Sequence, residues 1–409
     1  MSMESRQILG QNERLWMETL ITKNWNEKSV AKIIKVDIES AIPEGQNYCS
    51  IIIRAEIMVT LRNRQMSKLC FIIKKARETM KTTADNSNLN AEFLVYEEVL
   101  KKIEAVMCEY KDYNEKLWCK VIGYRPYDLL VLEDLKLKNY VVTDRKKMLD
   151  LNHSKLVLHS LGRFHALGFT LIEKGLLKKE DLPSFCCNLD SILVERLYKG
   201  GLMKLSNVIV KYWTPEWKEI GDRLYKEHHD VIKKLKNLLQ PQENNFITLC
   251  HGDSWTCNLM FKYSPFEENY PTACKFIDFE RTHVNPYIFD VIYFLYSSVH
   301  PEVRRSNYDQ LLSVYQKSLQ TTLATYGFEE QTPTLEKVHS EAERAEYYGF
   351  TSYFMILPIA IADEDAFKVN YLRSDSKWMD AYNEDVFKSE FYKSAVQPDL
   401  KKWFNKGLF

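Results

Sequence analysis

The order of hydrophobic and polar residues predicts a β-rich first part of the chain. Residues 12–32 place large apolar side chains among charges at roughly helical spacing, which predicts an amphipathic opening helix. The stretches 48–61 and 68–75 are both rich in β-branched residues and are joined by a short polar segment, so we expect a β-hairpin. Residues 90–100 repeat apolar positions with the helical period, and short strands are expected at 117–122 and 129–133.

Beyond Asp134 the periodicity becomes mostly helical. The exception is the segment 246–278, which contains three short apolar strands joined by turns. The pattern therefore predicts an α+β fold with two parts, an N-terminal lobe over 1–132 and a C-terminal lobe over 133–409. Residues 133–136 are expected to connect them.

The composition is that of an ordinary globular protein. Of 409 residues, 45% are hydrophobic and 27% are charged, and 56 basic residues balance 56 acidic ones. The balance holds on both sides of Asp134, whereas proteins that bind nucleic acid or anionic membranes usually carry a basic excess. We therefore expect neither nucleic acid nor a membrane as a partner.

Three features of the chain favour a cytoplasmic location. The nine cysteines are odd in number and form no CxxC pair, which is typical of reduced cysteines. Charged residues interrupt the first twenty positions, where a signal peptide needs an apolar stretch. The longest apolar run, 353–362, contains Pro358 and is about half as long as the roughly 20 residues that cross a membrane. We expect a soluble protein.

The most specific chemical signal is the segment HGDSWTCN at 251–258, followed by IDFE at 277–280. Transfer of a nucleotide γ-phosphoryl group requires a carboxylate that orients the attacking hydroxyl and further oxygen ligands that hold Mg²⁺ on the phosphates. Asp253 and Asn258, five residues apart, and Asp278 in the next hairpin supply such a set. In the alternative interpretation these residues only cap turns, but the flanking strands argue against it.

The pattern HGDxWxxNxxF followed by IDFE resembles the catalytic and metal-binding loops of small-molecule kinases related to choline kinase and the aminoglycoside phosphotransferases. It is most similar to the ecdysteroid kinase-like family, whose characteristic tryptophan is Trp255 here. The similarity spans roughly 30–390. It implies a bilobal protein kinase-like α+β fold, with a small antiparallel β-rich N-lobe and a larger, mainly helical C-lobe, and it implies ATP and Mg²⁺. These motifs are specific for the fold and say little about the substrate.

The resemblance also implies roles for residues of the two motifs. Asp253 would be the catalytic base, and Asn258 and Asp278 would coordinate Mg²⁺. His251 belongs to the same catalytic set and is expected to brace the loop through hydrogen bonds. Glu280 stands where choline kinase-like proteins have an acidic residue, and two interpretations remain open for it, a second metal ligand or a solvated turn carboxylate.

In the first part of the chain, Lys74 ends the second arm of the predicted hairpin, where kinase-like folds keep the lysine that pairs with the α- and β-phosphates. Because side chains alternate along a strand, only one of Lys74 and Lys75 can reach the nucleotide cleft, and the family pattern favours Lys74. Glu92 matches the family's ExxxY and is the expected ion-pair partner. The alternative is an unrelated surface lysine and glutamate.

Two further segments would contact the nucleotide if the resemblance holds. Residues 45–50 look like the family's GxNYxS, in which backbone amides, Asn47 and Ser50 would approach the phosphates. The segment that contains Glu133 and Leu135 is similar to the connector whose backbone contacts adenine. Alone, that segment would be interpreted as a buried strand that ends in acids.

The short distance between the second motif and the next helix excludes one substrate class. Only eleven residues separate Asp278 from Asp290, too few for the activation segment with which protein kinases hold a peptide substrate. In addition, no arginine directly precedes Asp253 to bind an activating phosphate. We therefore expect no peptide substrate. Asp290 itself resembles the aspartate that binds the catalytic-loop backbone, although a helix N-terminal acid favoured by the macrodipole is an equally simple interpretation.

The acceptor pocket would be built from the long second part of the chain, which is rich in aromatic residues. Such rings could form a cation cage for choline or ethanolamine, or an apolar wall for a steroid-like alcohol. Most of these aromatic residues are expected in the core. The candidates are Tyr212, Trp213, Trp217, Tyr347, Tyr348, Tyr353, Phe354, Trp378 and Tyr382.

Our leading hypothesis is an ATP-dependent kinase that phosphorylates a hydroxyl of a small, mainly apolar alcohol, with ecdysteroids as the substrates that the family implies. The alternatives are a choline or ethanolamine kinase, a ligand-binding pseudokinase and an adaptor protein. The complete set of expected catalytic residues counts against the pseudokinase, and the adaptor predicts that Asp253→Asn changes neither nucleotide affinity nor any phenotype.

Overall fold

The computed structural model describes residues 11–24, 30–41, 50–76, 91–126, 128–182, 189–363 and 367–409. These residues form two compact units. The first unit comprises the described residues up to Glu98 together with Trp118–Val141, and the second comprises Val99–Leu117 and Val142–Phe409. The chain passes between the two units three times, after Glu98, Leu117 and Val141.

The first unit is built on a five-stranded antiparallel sheet with the strand order β1-β2-β3-β5-β4. Helix α1 precedes the sheet, and a short strand β6 follows it. The elements are α1 (Gln11–Asn24), β1 (Val30–Ser40), β2 (Ser50–Leu61), β3 (Met66–Ala76), β4 (Val121–Arg125), β5 (Leu129–Glu133) and β6 (Tyr140–Val141).

The β2–β3 hairpin forms because its apolar side chains alternate along both strands. Ile53, Ala55, Ile57 and Val59 are buried in the core on one face of β2, and the side chains between them are half-buried. Arg64, with a φ of 63°, lies in the turn that reverses the chain. The predicted hairpin is thereby confirmed.

The predicted opening helix was too long. Helix α1 ends at Asn24, and β1 begins at Val30, inside the stretch 12–32 that was assigned to the helix. The polar and apolar residues between Val30 and Ser40 alternate imperfectly, with register shifts against β2, so the strand is stabilised mainly by pairing with its neighbour. Such pairing is a tertiary contact that local periodicity does not reveal.

The second unit is mainly helical. A helical segment at 91–94 and a π-helix, Val95–Leu100, lead into its first helix. Its helices are α2 (Lys101–Glu109), α3 (Leu151–Glu173), α4 (Ile192–Tyr212), α5 (Lys218–Glu227), α6 (Val231–Leu238), α7 (Ile288–Ser297), α8 (Pro301–Thr325), α9 (Leu335–Arg344), α10 (Glu346–Met355), α11 (Leu357–Ile361), α12 (Val369–Leu372), α13 (Glu384–Lys388) and α14 (Glu390–Lys406).

Four short strands of the second unit flank the loops that contain the candidate catalytic and metal-binding residues. They are β7 (Ile247–Cys250), β8 (Leu259–Tyr263), β9 (Pro271–Phe276) and β10 (His283–Pro286). Strand β7 pairs antiparallel with β10, and β8 pairs antiparallel with β9. The three strands expected within 246–278 are therefore confirmed, whereas β10, with the sequence HVNP, lacks a β-branched run and was not predicted.

Helix α3 packs closely against β7 and thereby supports the loop that follows this strand. A Cβ atom added to Gly168 would lie 2.5 Å from Leu249 Cβ and 2.8 Å from Leu249 N, so only glycine allows this approach. The hydroxyl of Thr248 donates a hydrogen bond of 2.5 Å to the backbone oxygen of His165. The end of β7 is thus held at a defined position on the helix.

The predicted α+β class, with a small antiparallel β unit and a larger helical unit, is confirmed. None of the helices in the described part of the chain has the length and apolar character that crossing a membrane requires.

Candidate active site

The loop after β7 begins with a sharp turn at Gly252. This residue has a φ of +81°, and an added Cβ atom would lie 2.3 Å from the backbone oxygen of Arg281. An L-amino acid would therefore be strained here and would also clash with the backbone of the neighbouring loop. The turn directs Asp253 away from the strand, so that its side chain is half-buried beyond the end of β7.

Asp290, near the start of α7, holds this turn through its carboxylate. Its Oδ2 accepts a hydrogen bond of 2.6 Å from the His251 N–H, and its Oδ1 accepts one of 2.9 Å from the Gly252 N–H. The Nε2 of His165, on α3, lies 3.2 Å from Oδ2. Burial acts to raise the pKa of Asp290, but its hydrogen bond with His165 lowers it, and the net pKa is below the ordinary value. Asp290 therefore remains an anionic acceptor for the loop.

The grouping of His165, Cys250 and Asp290 has the atom types of a metal site, with the three ligand atoms within 4.8 Å of one another. Both ring nitrogens of His165 already have partners, since Nδ1 lies 2.8 Å from the Tyr315 hydroxyl. Burial raises the pKa of the Cys250 thiol well above its ordinary value, which keeps the sulfur protonated. The group is therefore a hydrogen-bonded support for the loop.

His251 braces the loop from inside. Its Nδ1 accepts a hydrogen bond of 3.2 Å from the Asp253 N–H, so Nε2 carries the proton and donates to the Ile277 backbone oxygen at 3.1 Å. Burial lowers the pKa of His251, which favours this neutral form. The ring therefore joins the 251–258 loop to the segment that precedes Asp278.

The carboxylate of Asp253 is held at both oxygens. Oδ1 accepts a hydrogen bond of 2.6 Å from the Tyr293 hydroxyl, and Oδ2 accepts one of 2.9 Å from the Asn258 side-chain amide. Burial raises the pKa of Asp253, while the Arg281 guanidinium and the Tyr293 hydrogen bond oppose the increase. The orientation of the carboxylate is therefore defined by the protein itself.

Asn258 and Asp278 are brought to adjacent positions by the backbone. The N–H of Ile277 donates a hydrogen bond of 3.0 Å to the backbone oxygen of Asn258. Because the Asn258 amide nitrogen donates to Asp253, its Oδ1 is the atom that remains for a cation. Asp278 has a φ of 66°, a left-handed conformation that is uncommon for a residue other than glycine.

This donor set fits Mg²⁺, which prefers oxygen ligands and usually binds through one or two carboxylates. Glu280 follows in the 3-10 turn Phe279–Arg281 and is half-buried. Its part in metal binding stays a prediction.

Three residues that interact electrostatically with Asp253 were not among the candidates from the sequence. Burial lowers the pKa of Arg281, but the charge of Asp253 and the phenols of Tyr293, Tyr198 and Tyr348 raise it, so the net change is an increase. Tyr348 was a candidate, whereas Arg281, Tyr293 and Tyr198 were not. One signal was present, since Tyr293 follows Asp290 by three residues and so lies on the same helix face.

The other aromatic candidates are mostly part of the core, as expected. Tyr348 lies near Tyr293, with ring centroids 6.2 Å apart. Tyr353, in contrast, is fully buried in a cluster with Arg304 and Asp399, and its hydroxyl bonds to both. Tyr348 is therefore connected to the Asp253 site through Tyr293, whereas Tyr353 belongs to a separate buried cluster.

In the first unit, the structure brings Lys74 and Glu92 together. Lys74 Nζ lies 2.7 Å from Glu92 Oε2, and the two side chains are only 5% and 1% exposed. Lys75, on the opposite face of β3, pairs instead with Glu13 of α1 at 3.1 Å. Two charges at this depth require each other, because either alone would be a costly buried ion.

The remaining candidates for nucleotide binding are only partly described. Ser50 is buried at the start of β2, whereas Asn47 and the rest of 42–49 lie outside the described residues. Glu133 ends β5, and its N–H donates a hydrogen bond of 2.9 Å to the Lys120 backbone oxygen. Leu135 is buried at the start of a 3-10 turn.

The connector is stabilised by the residue between Glu133 and Leu135. The Asp134 carboxylate caps the 3-10 turn by accepting from the Lys136 N–H at 3.0 Å, and it accepts from Arg54 Nε at 2.6 Å. The connector backbone is therefore fixed to β2, within the first unit.

Comparison with models of protein families matches residues 44–328 to the ecdysteroid kinase-like family. The chain belongs to this family. The match covers both motif loops, Lys74, Glu92 and Asp290. It establishes a small-molecule kinase family with the protein kinase-like fold, and hence a phosphotransferase with an alcohol group as acceptor. A search of curated proteins finds no match.

Solved structures of small-molecule kinases are similar to this family member at low sequence identity. Choline kinase from Cryptosporidium parvum is 13% identical, with a TM-score of 0.48 over 97% of this chain and 98% of that one. An ethanolamine kinase from Plasmodium vivax is 15% identical, with a TM-score of 0.38 over 78% and 81%. The GDP complex of an aminoglycoside 2'-phosphotransferase mutant is 11% identical, with a TM-score of 0.42 over 94% and 99%.

Proposed function

We propose that this protein transfers the γ-phosphoryl group of ATP to a hydroxyl of a small, uncharged alcohol such as an ecdysteroid. The observation that carries the proposal is the geometry of Asp253, whose carboxylate is fixed by Tyr293 and Asn258 on a loop that Asp290 holds. Phosphoryl transfer leaves little covalent chemistry for the protein, and catalysis consists mainly of positioning and electrostatic stabilisation. A rigid carboxylate at the end of a buried strand suits this task.

In the proposed reaction, Asp253 orients the acceptor hydroxyl and accepts its proton as the oxygen attacks the γ-phosphorus and the bond to the β-phosphate oxygen breaks. Lys74, held by Glu92, pairs with the phosphates of ATP. Asn47 and Ser50 would contact the phosphates, and the backbone of Glu133 and Leu135 would contact adenine.

Asn258 and Asp278 would hold Mg²⁺, with Glu280 as a further candidate ligand. The ion would neutralise charge that develops on the phosphates. The amide oxygen of Asn258 and the carboxylate of Asp278 are both hard oxygen donors, and the backbone hydrogen bond between Asn258 and Ile277 keeps them adjacent.

The positive charge of Arg281 supports an uncharged acceptor. The Arg281 guanidinium is close enough to Asp253 to oppose the effect of burial on its pKa. A choline or ethanolamine ammonium beside the Arg281 guanidinium would be repelled by it, which the attraction of the Asp253 carboxylate would offset in part. The phenol rings of Tyr198 and Tyr348 offer the contrary argument, because aromatic rings bind quaternary ammonium groups. We therefore keep choline and ethanolamine as the second candidate class.

The test is an acceptor screen. Purified protein with ATP and Mg²⁺ would be incubated with ecdysteroids, other sterols, choline, ethanolamine and aminoglycosides, and the products analysed by mass spectrometry, with Asp253→Asn as the blank. We expect one added phosphate on a steroid in the wild type only. Phosphocholine or phosphoethanolamine would support the second class, and a product that also forms with Asp253→Asn would contradict the proposed role of Asp253.

The two adjacent lysines of β3 test the proposed ATP contact. Lys74→Met removes the ammonium that Glu92 holds, so we expect the KM for ATP to increase about tenfold because a charge-assisted phosphate contact is lost. The matched variant Lys75→Met removes an ammonium that is paired with Glu13 and should change this KM by less than about twofold. Steady-state kinetics would measure both variants, and equal effects would argue against Lys74 as the phosphate-binding lysine.

A further inference from the structure

Helix α7 contributes two side chains to the loop after β7. All ten residues from Ile288 to Ser297 are buried, so the helix is fixed by packing on every side. Asp290 and Tyr293 are three residues apart and lie on one face of the helix. Asp290 accepts hydrogen bonds from the backbone of the loop, and the Tyr293 hydroxyl donates one to the carboxylate of Asp253 in the same loop.

The Tyr293 hydroxyl acts as a hydrogen-bond donor to Asp253. The side chain is only 4% exposed, and its oxygen lies 2.6 Å from Asp253 Oδ1, a short distance that is typical of a hydroxyl that donates to a carboxylate. Burial, together with the Asp253 charge, raises the pKa of Tyr293 well above its ordinary value. The phenol therefore keeps its proton, and the direction of the hydrogen bond is defined.

Two donors from different elements determine how the carboxylate is rotated. Tyr293 comes from α7, and Asn258 comes from the 3-10 turn Thr256–Asn258 that precedes β8. Each takes one oxygen of Asp253, so rotation about the Cβ–Cγ bond would break both hydrogen bonds. Each carboxylate oxygen still has lone-pair capacity for a further hydrogen bond, because an ionised carboxylate offers about four acceptor sites.

We propose that Tyr293 is a positioning residue for the transfer reaction, which orients the Asp253 carboxylate toward the attacking hydroxyl. This proposal rests on the proposed function, in which Asp253 is the group that contacts the acceptor. Tyr293 acts only through Asp253. It is therefore expected to affect the rate of the chemical step and to leave nucleotide binding unchanged.

The test uses Tyr293→Phe, which keeps the buried ring and removes only the hydroxyl. Phosphate release from ATP and Mg²⁺ would be followed in the full-length protein, since water then replaces the alcohol and no acceptor has to be known. We expect kcat to fall about 30-fold because a slightly misplaced catalytic group costs one to two orders of magnitude. The KM for ATP should stay within about twofold of the wild type.

Tyr296→Phe is the matched control, because Tyr296 lies one turn further along α7 and its ring packs on the Arg304 guanidinium at 3.8 Å. It should leave kcat within about twofold of the wild type, since the Tyr296 hydroxyl interacts with Arg304 and its ring contact is kept. A double-mutant cycle with Asp253→Asn separates positioning from general damage. Tyr293→Phe should cost less than about twofold in the Asp253→Asn background, because residues that act as a unit are not additive.

The outcomes distinguish this inference from the function on which it rests. An inactive Asp253→Asn with wild-type kcat in Tyr293→Phe would overturn the role of Tyr293 alone. An equal loss of kcat from Tyr293→Phe in the wild-type and Asp253→Asn backgrounds would also overturn this role, because it would indicate a structural effect. If Asp253→Asn kept the wild-type rates, the role of Asp253 would fail and the role of Tyr293 with it. If the wild type itself neither released phosphate nor phosphorylated any alcohol of the screen, the proposed function would fail.

Discussion

Replacement of Asp253 by Asn is expected to reduce kcat for phosphoryl transfer by about 10³-fold, in the middle of the range for general acid–base catalysis. An amide cannot accept the hydroxyl proton. In addition, the two donors that now hold Asp253, the Tyr293 hydroxyl and the Asn258 amide, both need acceptors. An Asn at this position has one acceptor oxygen and one NH₂ group, so one of the two donors would face another donor.

The measurement is steady-state kinetics with the acceptor that the screen identifies, together with ATP affinity by calorimetry. Affinity should change by less than about twofold, because the carboxylate is proposed to act on the hydroxyl rather than on the nucleotide. Asp309→Asn makes the same chemical change at a side chain that is 90% exposed, and it should behave as the wild type. A kcat for Asp253→Asn close to that of the wild type would exclude Asp253 as the base.

Replacement of Asp290 by Ala is expected to lower the free energy of unfolding by about 4 kcal/mol, because hydrogen bonds to a buried charged group are each worth about 1.5–3 kcal/mol and their loss leaves donors unpaired. The carboxylate accepts from the N–H groups of His251 and Gly252 and from His165. The catalytic activity should also fall, because the Asp290 carboxylate would no longer hold the loop that carries Asp253. Urea denaturation and steady-state kinetics would measure the two effects.

Glu302→Ala is the matched control for Asp290. Glu302 is also an acid in the first turn of a helix, α8, but it is exposed. The interaction with the helix macrodipole alone is worth about 0.3–1 kcal/mol. If Asp290 served only the macrodipole, the two variants would be equally stable, and this result would contradict its role in holding the loop.

The pH dependence of stability provides an independent check on Asp290. Its pKa in the folded protein lies below the ordinary value of 3.8. The stabilisation is therefore complete above about pH 4 and is lost as the pH falls through the folded-state pKa. The difference in unfolding free energy between the wild type and Asp290→Ala should accordingly be constant near neutral pH and shrink in acid. A constant difference down to the acid range would show that the folded-state pKa is not lowered.

The elements that could be predicted from the sequence are those whose signals are local. The β2–β3 hairpin has one β-branched run on each side of a polar turn. The loop at 251–258 carries a continuous motif, which the motif at 277–280 completes. The pairing of Lys74 rather than Lys75 with Glu92 followed from strand alternation and the family pattern. In each case the residues that decide the structure lie in the same element or in neighbouring elements of the chain. The local sequence pattern is therefore sufficient to predict them.

The opening helix and β10 show where local patterns are insufficient. The assigned helix extended into β1, which is formed by pairing with β2. Strand β10 has no strand-like composition, and its structure comes from its antiparallel pairing with β7. Strand propensity depends on the partner strand and on burial, neither of which is encoded by neighbouring residues.

By itself, therefore, the sequence determined the fold class, the family and the residue types that can transfer a phosphoryl group. Only the tertiary structure decided how Asp253 is oriented and what surrounds it. Tyr293 lies forty residues beyond Asp253 in the chain and Tyr198 lies fifty-five before it, so no spacing rule links them to the motif. Their positions follow from the packing of α7 and α4 against α10 in a close-packed core, where the position of each side chain depends on all of its neighbours.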